Sequence, residues 1–231
     1  MKVAITKDYD EMSEKAAEII IKQIKNKPNS VVGFATGKTV LGLYSHLAKS
    51  KLDFSKVKTF NLDEYYPIKR KDRNSFYYFM HKNLFDKINI NPENIHLLNG
   101  EAKNPKKECE NYEEKIKKNP IDLQILGLGV NGHIAFNEPG SLKSSKTRLV
   151  NLSKSTIKIN KTKSKKALTM GIATIMNAKK IILLASGRSK AEAIKRLIEG
   201  KEDEKWPVSF LKGHKNLVVI IDKEAGSLLH Q

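Results

Sequence analysis

Three short segments hold residues whose types and spacing can do chemistry. The longest is Gly127-Leu128-Gly129-Val130-Asn131-Gly132-His133-Ile134-Ala135-Phe136-Asn137-Glu138-Pro139-Gly140. Its glycines let backbone approach a ligand closely. His133 is the one side chain here with an unperturbed pKa near neutrality, and a carboxylate such as Glu138 can orient and tune it for proton transfer. A histidine merely hydrogen-bonded in a loop explains neither the glycines nor the Asn137-Glu138-Pro139-Gly140 sequel, so the segment reads as functional.

The second segment, Phe60-Asn61-Leu62-Asp63-Glu64-Tyr65-Tyr66, closes an apolar run with two adjacent acids. Neighbouring side chains on a strand point to opposite faces, so one carboxylate can enter a site while the other turns toward structural partners. Asp63 is the candidate for the site. In a partly desolvated pocket it can act as general base on a carbon-bound proton. Taken alone, a turn or capping aspartate is the plainer reading.

The third, Ala35-Thr36-Gly37-Lys38-Thr39, follows one apolar run and opens a helical pattern. A tight turn at Gly37, backbone N–H groups at a helix start, the hydroxyls of Thr36 and Thr39 and the cation of Lys38 suit a phosphate. An ordinary strand-to-helix turn with a threonine cap uses the same residues. The spacing G-x-x-x-x-G-K-[ST] is absent, which leaves nucleotide binding unsupported.

Other chemistries find little here. The histidines make no compact ligand pattern and H-E-x-x-H is missing, so no metal and no cofactor are predicted. A serine nucleophile would want G-x-S-x-G, which does not occur. Cys109, the single cysteine, is flanked by acids in a polar helical pattern, which predicts an inert surface thiol, and no disulfide framework is possible within the chain.

These segments need elements to position them. Apolar runs of strand length recur at 31–34, 57–62, 95–98, 123–128, 181–185 and 217–221. Short, continuous and bounded by Gly, Asn, Asp or Lys, they suit strands buried on both faces of a parallel sheet. Helical patterns separate them: Met12, Ala16, Ile19, Ile20 and Ile24 share one face of the first, and Leu41, Tyr44 and Leu47 mark the second. Residues 75–85, 105–118, 165–176 and 189–198 are further helix candidates. This alternation predicts an α/β fold with an open, mostly parallel, Rossmann-like sheet and helices on both faces. In such sheets ligands bind at the carboxyl ends of strands, where all three segments fall. With no repeat and no linker, residues 1–231 read as one domain. Residues 140–166, polar, basic and without apolar periodicity, read as an extended loop that closes over the site as a lid.

The charge points to an anionic partner. Lys and Arg number 43 against 25 acids, a net +18, and no acid stands between Glu138 and Glu192, a stretch with thirteen cations. Only five of the cations are Arg, however, which speaks against nucleic-acid readout. Most lysines read as a solvated surface, and a few as the surroundings of a small anion. No run is long enough to span a bilayer and no apolar signal core opens the chain, so a cytoplasmic protein without a membrane partner is predicted.

The residues now permit a comparison by eye. Phe60-Asn61-Leu62-Asp63-Glu64-Tyr65 and Gly132-His133-Ile134-Ala135-Phe136-Asn137-Glu138-Pro139-Gly140 resemble the signatures of glucosamine-6-phosphate deaminases. Similarity continues through Ser75-Phe76-Tyr77-Tyr78-Phe79-Met80, Ser145-Lys146-Thr147-Arg148 and Ala167-Leu168-Thr169-Met170-Gly171-Ile172, nearly the whole chain. The resemblance implies a sugar-phosphate isomerase type of fold and conversion of glucosamine 6-phosphate and water to fructose 6-phosphate and ammonia. It implies that His133, supported by Asn131 and Glu138, moves the proton that opens the sugar ring. Asp63 would carry the C2 proton to C1. Phosphate contacts would fall to Thr36, Gly37, Lys38, Thr39 and Lys190, the last lying just beyond the 181–185 run.

Three departures qualify the likeness. Asn131 stands where longer members carry Asp, which keeps the hydrogen-bonding shape and loses the charge. The lid arginine that binds phosphate in the family has no clear counterpart, and Lys161 or Lys163 would replace it. Lys38 sits where Ser or Gly is usual. The chain also resembles the short branch without the extension of hexameric, allosterically regulated members, which implies a monomer. Alternatives are galactosamine 6-phosphate as the sugar, a 6-phosphogluconolactonase-like hydrolase, against which Asp63 and residues 136–140 speak, or a non-catalytic binder of sugar phosphate or nucleic acid through residues 143–166.

Overall fold

The computed structural model describes residues 1–230. Strand β1 (Lys2–Thr6) leads into helix α1 (Tyr9–Asn26), whose start is set by Asp8: its carboxylate accepts from the N–H groups of Asp10 and Glu11. Met12, Ala16, Ala17, Ile20 and Ile24 form the buried face of α1. Then come β2 (Val31–Phe34), α2 (Leu41–Lys49), β3 (Lys58–Asn61), β4 (Asp63–Tyr66), α3 (Phe76–Asn83), β5 (Ile95–His96), α4 (Pro105–Lys118) and β6 (Leu123–Gly127). The second half contains β7 (Arg148–Asn151), α5 (Lys154–Asn160), β8 (Lys166–Thr169), α6 (Ile172–Met176), β9 (Ile181–Ala185), α7 (Ala191–Ile198) and β10 (Leu217–Asp222).

Seven strands form one parallel sheet in the order β1-β10-β9-β6-β2-β3-β5, flanked by helices. Every residue of β2 and β9 is buried, as continuous apolar runs in central strands require. The predicted open α/β sheet is therefore present. Five of the six strand candidates keep their bounds to within one residue, while the 95–98 run contributes only the two residues of β5. The edge strand β1 escaped the reading because its apolar run, Val3-Ala4-Ile5, is only three residues long.

Three expectations are corrected. The helix expected over 165–176 is the strand β8 followed by the five-residue helix α6, with a break at Gly171. A Cβ at Gly171 would lie 2.1 Å from the Ser145 carbonyl oxygen, so a neighbouring chain segment crosses where a continuous helix would run. Second, 140–166 is not an extended loop throughout. It contains β7 and α5, and β4, β8 and β7 make a second, antiparallel sheet of three strands. This small sheet has its own apolar cluster of Tyr65, Phe136, Leu152 and Ala167, flanked by Phe76, Val150 and Ile157 and distinct from the main core. Cys109, expected on a surface, is buried with Tyr112 and Ile116 on the inner stripe of α4. Burial, then the neighbouring acids Glu108, Glu113 and Glu110, push its thiol up to about 11, which keeps the inertness that was expected. Gln231, the last residue of the expected domain, lies outside the described residues.

Candidate functional site

β9, β6, β2 and β3 are successive neighbours in one parallel sheet, so their carboxyl ends share one edge. At the usual strand spacing of about 4.8 Å the four ends span roughly 15 Å, the scale of a small ligand. This brings together the turn holding Thr36, Gly37, Lys38 and Thr39, then Asp63, then the loop holding Asn131, His133 and Glu138, and finally Lys190.

The turns after β2 and β9 repeat one design. Gly37 at φ +104° and Gly187 at φ +88° adopt backbone conformations that side-chain-bearing residues avoid, and a single 3-10 turn follows each before α2 and α7 begin. Among the described residues no side chain caps either turn, so their first N–H groups are open to an anion. Thr36 and Thr39 are half-buried while Gly37 and Lys38 are exposed. Asp222, a residue the sequence reading passed over, shapes the second turn: it accepts from the Ser186 hydroxyl at 2.5 Å and from the Gly187 N–H at 3.0 Å. Its place at the carboxyl end of β10 was the available signal.

Asp63 begins β4 instead of ending β3, because the chain bends at Leu62. The Leu62 N–H still bonds the Phe34 carbonyl while its own carbonyl accepts from Met170, so Leu62 joins the two sheets. Asp63 is 6% exposed, and its carboxylate accepts no hydrogen bond among the described residues. Burial, then the charge of Glu64, hold its pKa well above the usual carboxylate range. Glu64 has the opposite surroundings: it accepts from the N–H groups of Tyr65, Phe76 and Tyr77 at 2.9, 2.8 and 2.8 Å, anchoring the start of α3. Burial pushes Glu64 up to about 7 against the pull of those three donors. The division expected of the two acids, one free and one structural, is what the geometry has.

In the third loop, Asn131 Nδ2 donates to Glu138 Oε2 at 2.8 Å, and Asn131 Oδ1 lies 2.7 Å from His133 Nδ1. A carboxylate only accepts, so the amide must turn its NH₂ toward Glu138 and its oxygen toward the ring. His133 therefore carries its proton on Nδ1, and Nε2 is left with a lone pair. Burial lowers the His133 pKa, Glu138 pulls it back up, and Lys190 lowers it further. The ring rests on Gly129, where a Cβ would come within 2.3 Å of it. Asn137 fixes the rest of the loop: its Nδ2 donates to the carbonyls of Ile134 and Met170, and its Oδ1 accepts from Arg148 at 2.8 Å.

Lys190 is half-buried, its pKa lowered by burial, and near enough to His133 to act on it. It links the relay to the turn after β9. Lys161 and Lys163, the two lid candidates, are both exposed just beyond α5. Sequence reading missed Ser153 and Thr156, both of which donate to Glu138 Oε1. They lie fifteen and eighteen residues beyond Glu138, with no local signal connecting them.

Known proteins resemble this chain over nearly its whole length. The family of glucosamine-6-phosphate isomerases/6-phosphogluconolactonase matches residues 7–219. A glucosamine-6-phosphate deaminase of Thermoanaerobacter sp. (strain X514) is 52% identical over 99% of this chain and 95% of its own length. One of Clostridium novyi (strain NT) is 50% identical over 99% of this chain and 100% of its own. Among solved structures, a monomeric glucosamine-6-phosphate deaminase of the NagB superfamily superposes with a TM-score of 0.96 at 41% identity, covering 99% of this chain and 100% of that one. The 6-phosphogluconolactonase of Thermotoga maritima gives 0.80 at 23% identity, covering 96% and 99%, a likeness of fold alone.

Proposed function

This chain belongs to the family of glucosamine-6-phosphate isomerases and 6-phosphogluconolactonases, and we propose that within it the protein converts glucosamine 6-phosphate and water to fructose 6-phosphate and ammonia. One observation carries the reading: a buried carboxylate without hydrogen-bond partners, Asp63, opens on the same sheet edge as the Glu138, Asn131 and His133 relay.

The sugar's phosphate sits against the N–H groups and hydroxyls of Thr36, Gly37, Lys38 and Thr39 and against Lys190. Neutral His133 takes the anomeric hydroxyl proton on Nε2 and delivers a proton to the ring oxygen, opening the ring. Its low pKa, set by burial and Lys190, supplies the neutral form at pH 7. Asp63 then removes the C2 proton from the open chain, giving an enolamine, and returns it to C1. Desolvation, which raises the Asp63 pKa, also strengthens it as a base once ionised. Water adds to the resulting C2 imine and ammonia leaves. Neither the Asp63 step nor the imine has a place in lactone hydrolysis.

Incubation with glucosamine 6-phosphate, galactosamine 6-phosphate and 6-phosphogluconolactone, following ammonia and fructose 6-phosphate, tests the reading. Ammonia from glucosamine 6-phosphate is the expected result. None from either amino sugar would overturn it. A single-domain, cytoplasmic monomer completes the reading, supported by the monomeric deaminase it superposes on and by its one cysteine. No helix among the described residues is long and apolar enough to cross a membrane. Helix α5 with Lys161 and Lys163 forms the lid over the phosphate.

A further inference from the structure

The two oxygens of Glu138 face different parts of the molecule. Oε2 accepts from Asn131 at 2.8 Å and faces the histidine relay. Oε1 faces the first turn of α5, where it accepts from Ser153 at 3.1 Å and from Thr156. These donors are not equivalent. The Ser153 hydroxyl caps α5 by accepting from the Thr156 N–H at 3.1 Å and has a second partner in Ser155 at 2.9 Å. The Thr156 hydroxyl, on a residue only 2% exposed, has no other acceptor among the described residues.

The helix that brings Thr156 is attached to the satellite cluster and not to the main core. Ile157 packs on Tyr65, Phe136, Leu152 and Ala167, and Asn160 Nδ2 donates to the Tyr65 hydroxyl at 3.1 Å. The left-handed residue Lys161 ends the helix immediately afterwards. Small clusters of this kind open at lower free energy than a main core.

We propose that Thr156 is a positioning residue for the ring-opening step: its hydroxyl orients Glu138, Glu138 orients Asn131, and Asn131 places the proton of His133, so the relay is set only when α5 is seated. This rests on the deaminase reading for its consequence, though not for its geometry. With the Thr156 donor gone, Oε1 keeps only a shared serine, and Glu138 loses its fixed rotamer. Asn131 then has less reason to keep its NH₂ toward Glu138, and His133 less reason to keep its proton on Nδ1. The charged groups facing Glu138 and His133 are each other and Lys190.

Thr156→Val keeps the buried volume and deletes the donor, while Thr156→Ser keeps the donor. The ¹⁵N shifts of the His133 ring, read without substrate, report which nitrogen is protonated. The wild type and Thr156→Ser are expected to show Nδ1–H, and Thr156→Val a mixture. In turnover, Thr156→Val is expected to lose about tenfold or more in kcat on closed-ring glucosamine 6-phosphate. Its KM should change little, with Thr156→Ser close to wild type. Loosened packing alone would raise KM and leave the His133 proton on Nδ1. An unchanged His133 tautomer in a folded Thr156→Val protein overturns the proposal even if that protein is slow. A wild type that releases no ammonia overturns the deaminase reading, and the tautomer measurement still decides the role of Thr156.

Discussion

Asn131 Oδ1 lies 2.7 Å from His133 Nδ1, and because the same amide spends its nitrogen on Glu138, the ring's proton is directed before any substrate arrives. A neutral amide does this without stabilising imidazolium. Asn131→Asp puts a charge in the same place, and the His133 pKa should rise, opposing the lowering that burial and Lys190 impose. NMR titration of the His133 ring checks this directly. An unmoved titration would mean the amide is not the ring's electrostatic neighbour.

The same lowered pKa has a consequence for stability. The folded chain binds this proton less readily than the unfolded chain, so the His133 contribution is fully present above about pH 6.5 and lost as pH falls through the folded value. His96, lowered by burial and then by Lys115 and Lys58, acts in the same sense. His133→Gln should therefore flatten the stability profile below pH 6.5, measured by urea unfolding across that range. A profile as steep as that of the wild type would count against the shift.

Asp63 predicts differently, because its pKa is raised and the proposed role as base requires the charged form. Asp63→Asn should lower kcat by about 10²–10⁴-fold and abolish exchange of the C2 proton with deuterated water. Exchange that persists would remove Asp63 as the base. Glu64→Gln should lower the Asp63 pKa, since Glu64 is the second cause of its elevation after burial. The acid limb set by Asp63 should then fall, at some cost to the seating of α3.

Much of this site was legible because its chemistry is local. Gly129, Asn131, His133 and Glu138 fit within ten residues, and β6 and β9 announce themselves as unbroken apolar runs. The second sheet was hidden for a physical reason. β4 follows β3 after a single residue, so one strand pattern covers two strands, and β7, α5 and β8 contribute few apolar residues, divided between the small satellite cluster and the main core. Cys109 illustrates the same limit, since its neighbours are charged while its own position belongs to the stripe of Tyr112 and Ile116. Contacts such as Thr156 with Glu138 depend on that second sheet being built, and nothing in their own residues signals them.

The two cations assigned to the phosphate should not weigh equally. Lys38 is exposed, so solvent and salt screen it, whereas Lys190 is half-buried and acts on His133. Lys190→Gln is expected to raise KM by about tenfold or more. It should also raise the His133 pKa, because a repelling charge is removed. Lys38→Gln should give a smaller rise in KM and no change at His133. Equal effects at both positions, in KM and in the histidine titration, would show that the phosphate is held by the turns alone.

Asp122 offers a prediction at the opposite end of the sheet. It is 5% exposed and sits just before β6, where it accepts from the Val31 N–H at 2.9 Å and pairs with Lys27 at 2.6 Å and Lys179 at 2.9 Å. Burial acts to raise its pKa, but the Lys27 hydrogen bond, the Val31 N–H and Lys179 outweigh that and hold it below the usual aspartate value. Such a group stabilises the fold fully above its unfolded pKa of about 3.9, and the contribution disappears as pH falls through the folded value. Asp122→Ala should cost about 2 kcal/mol at pH 7, because the buried Val31 N–H loses its acceptor while the two lysines can reach solvent. Unfolding curves at pH 7 and pH 3 check both parts, with the difference between wild type and variant expected to shrink at pH 3. Since β6 leads to the His133 loop only from its far end, kcat should be unchanged in the folded variant. A variant that folds as stably as the wild type would show that these ion pairs are surface contacts of no consequence.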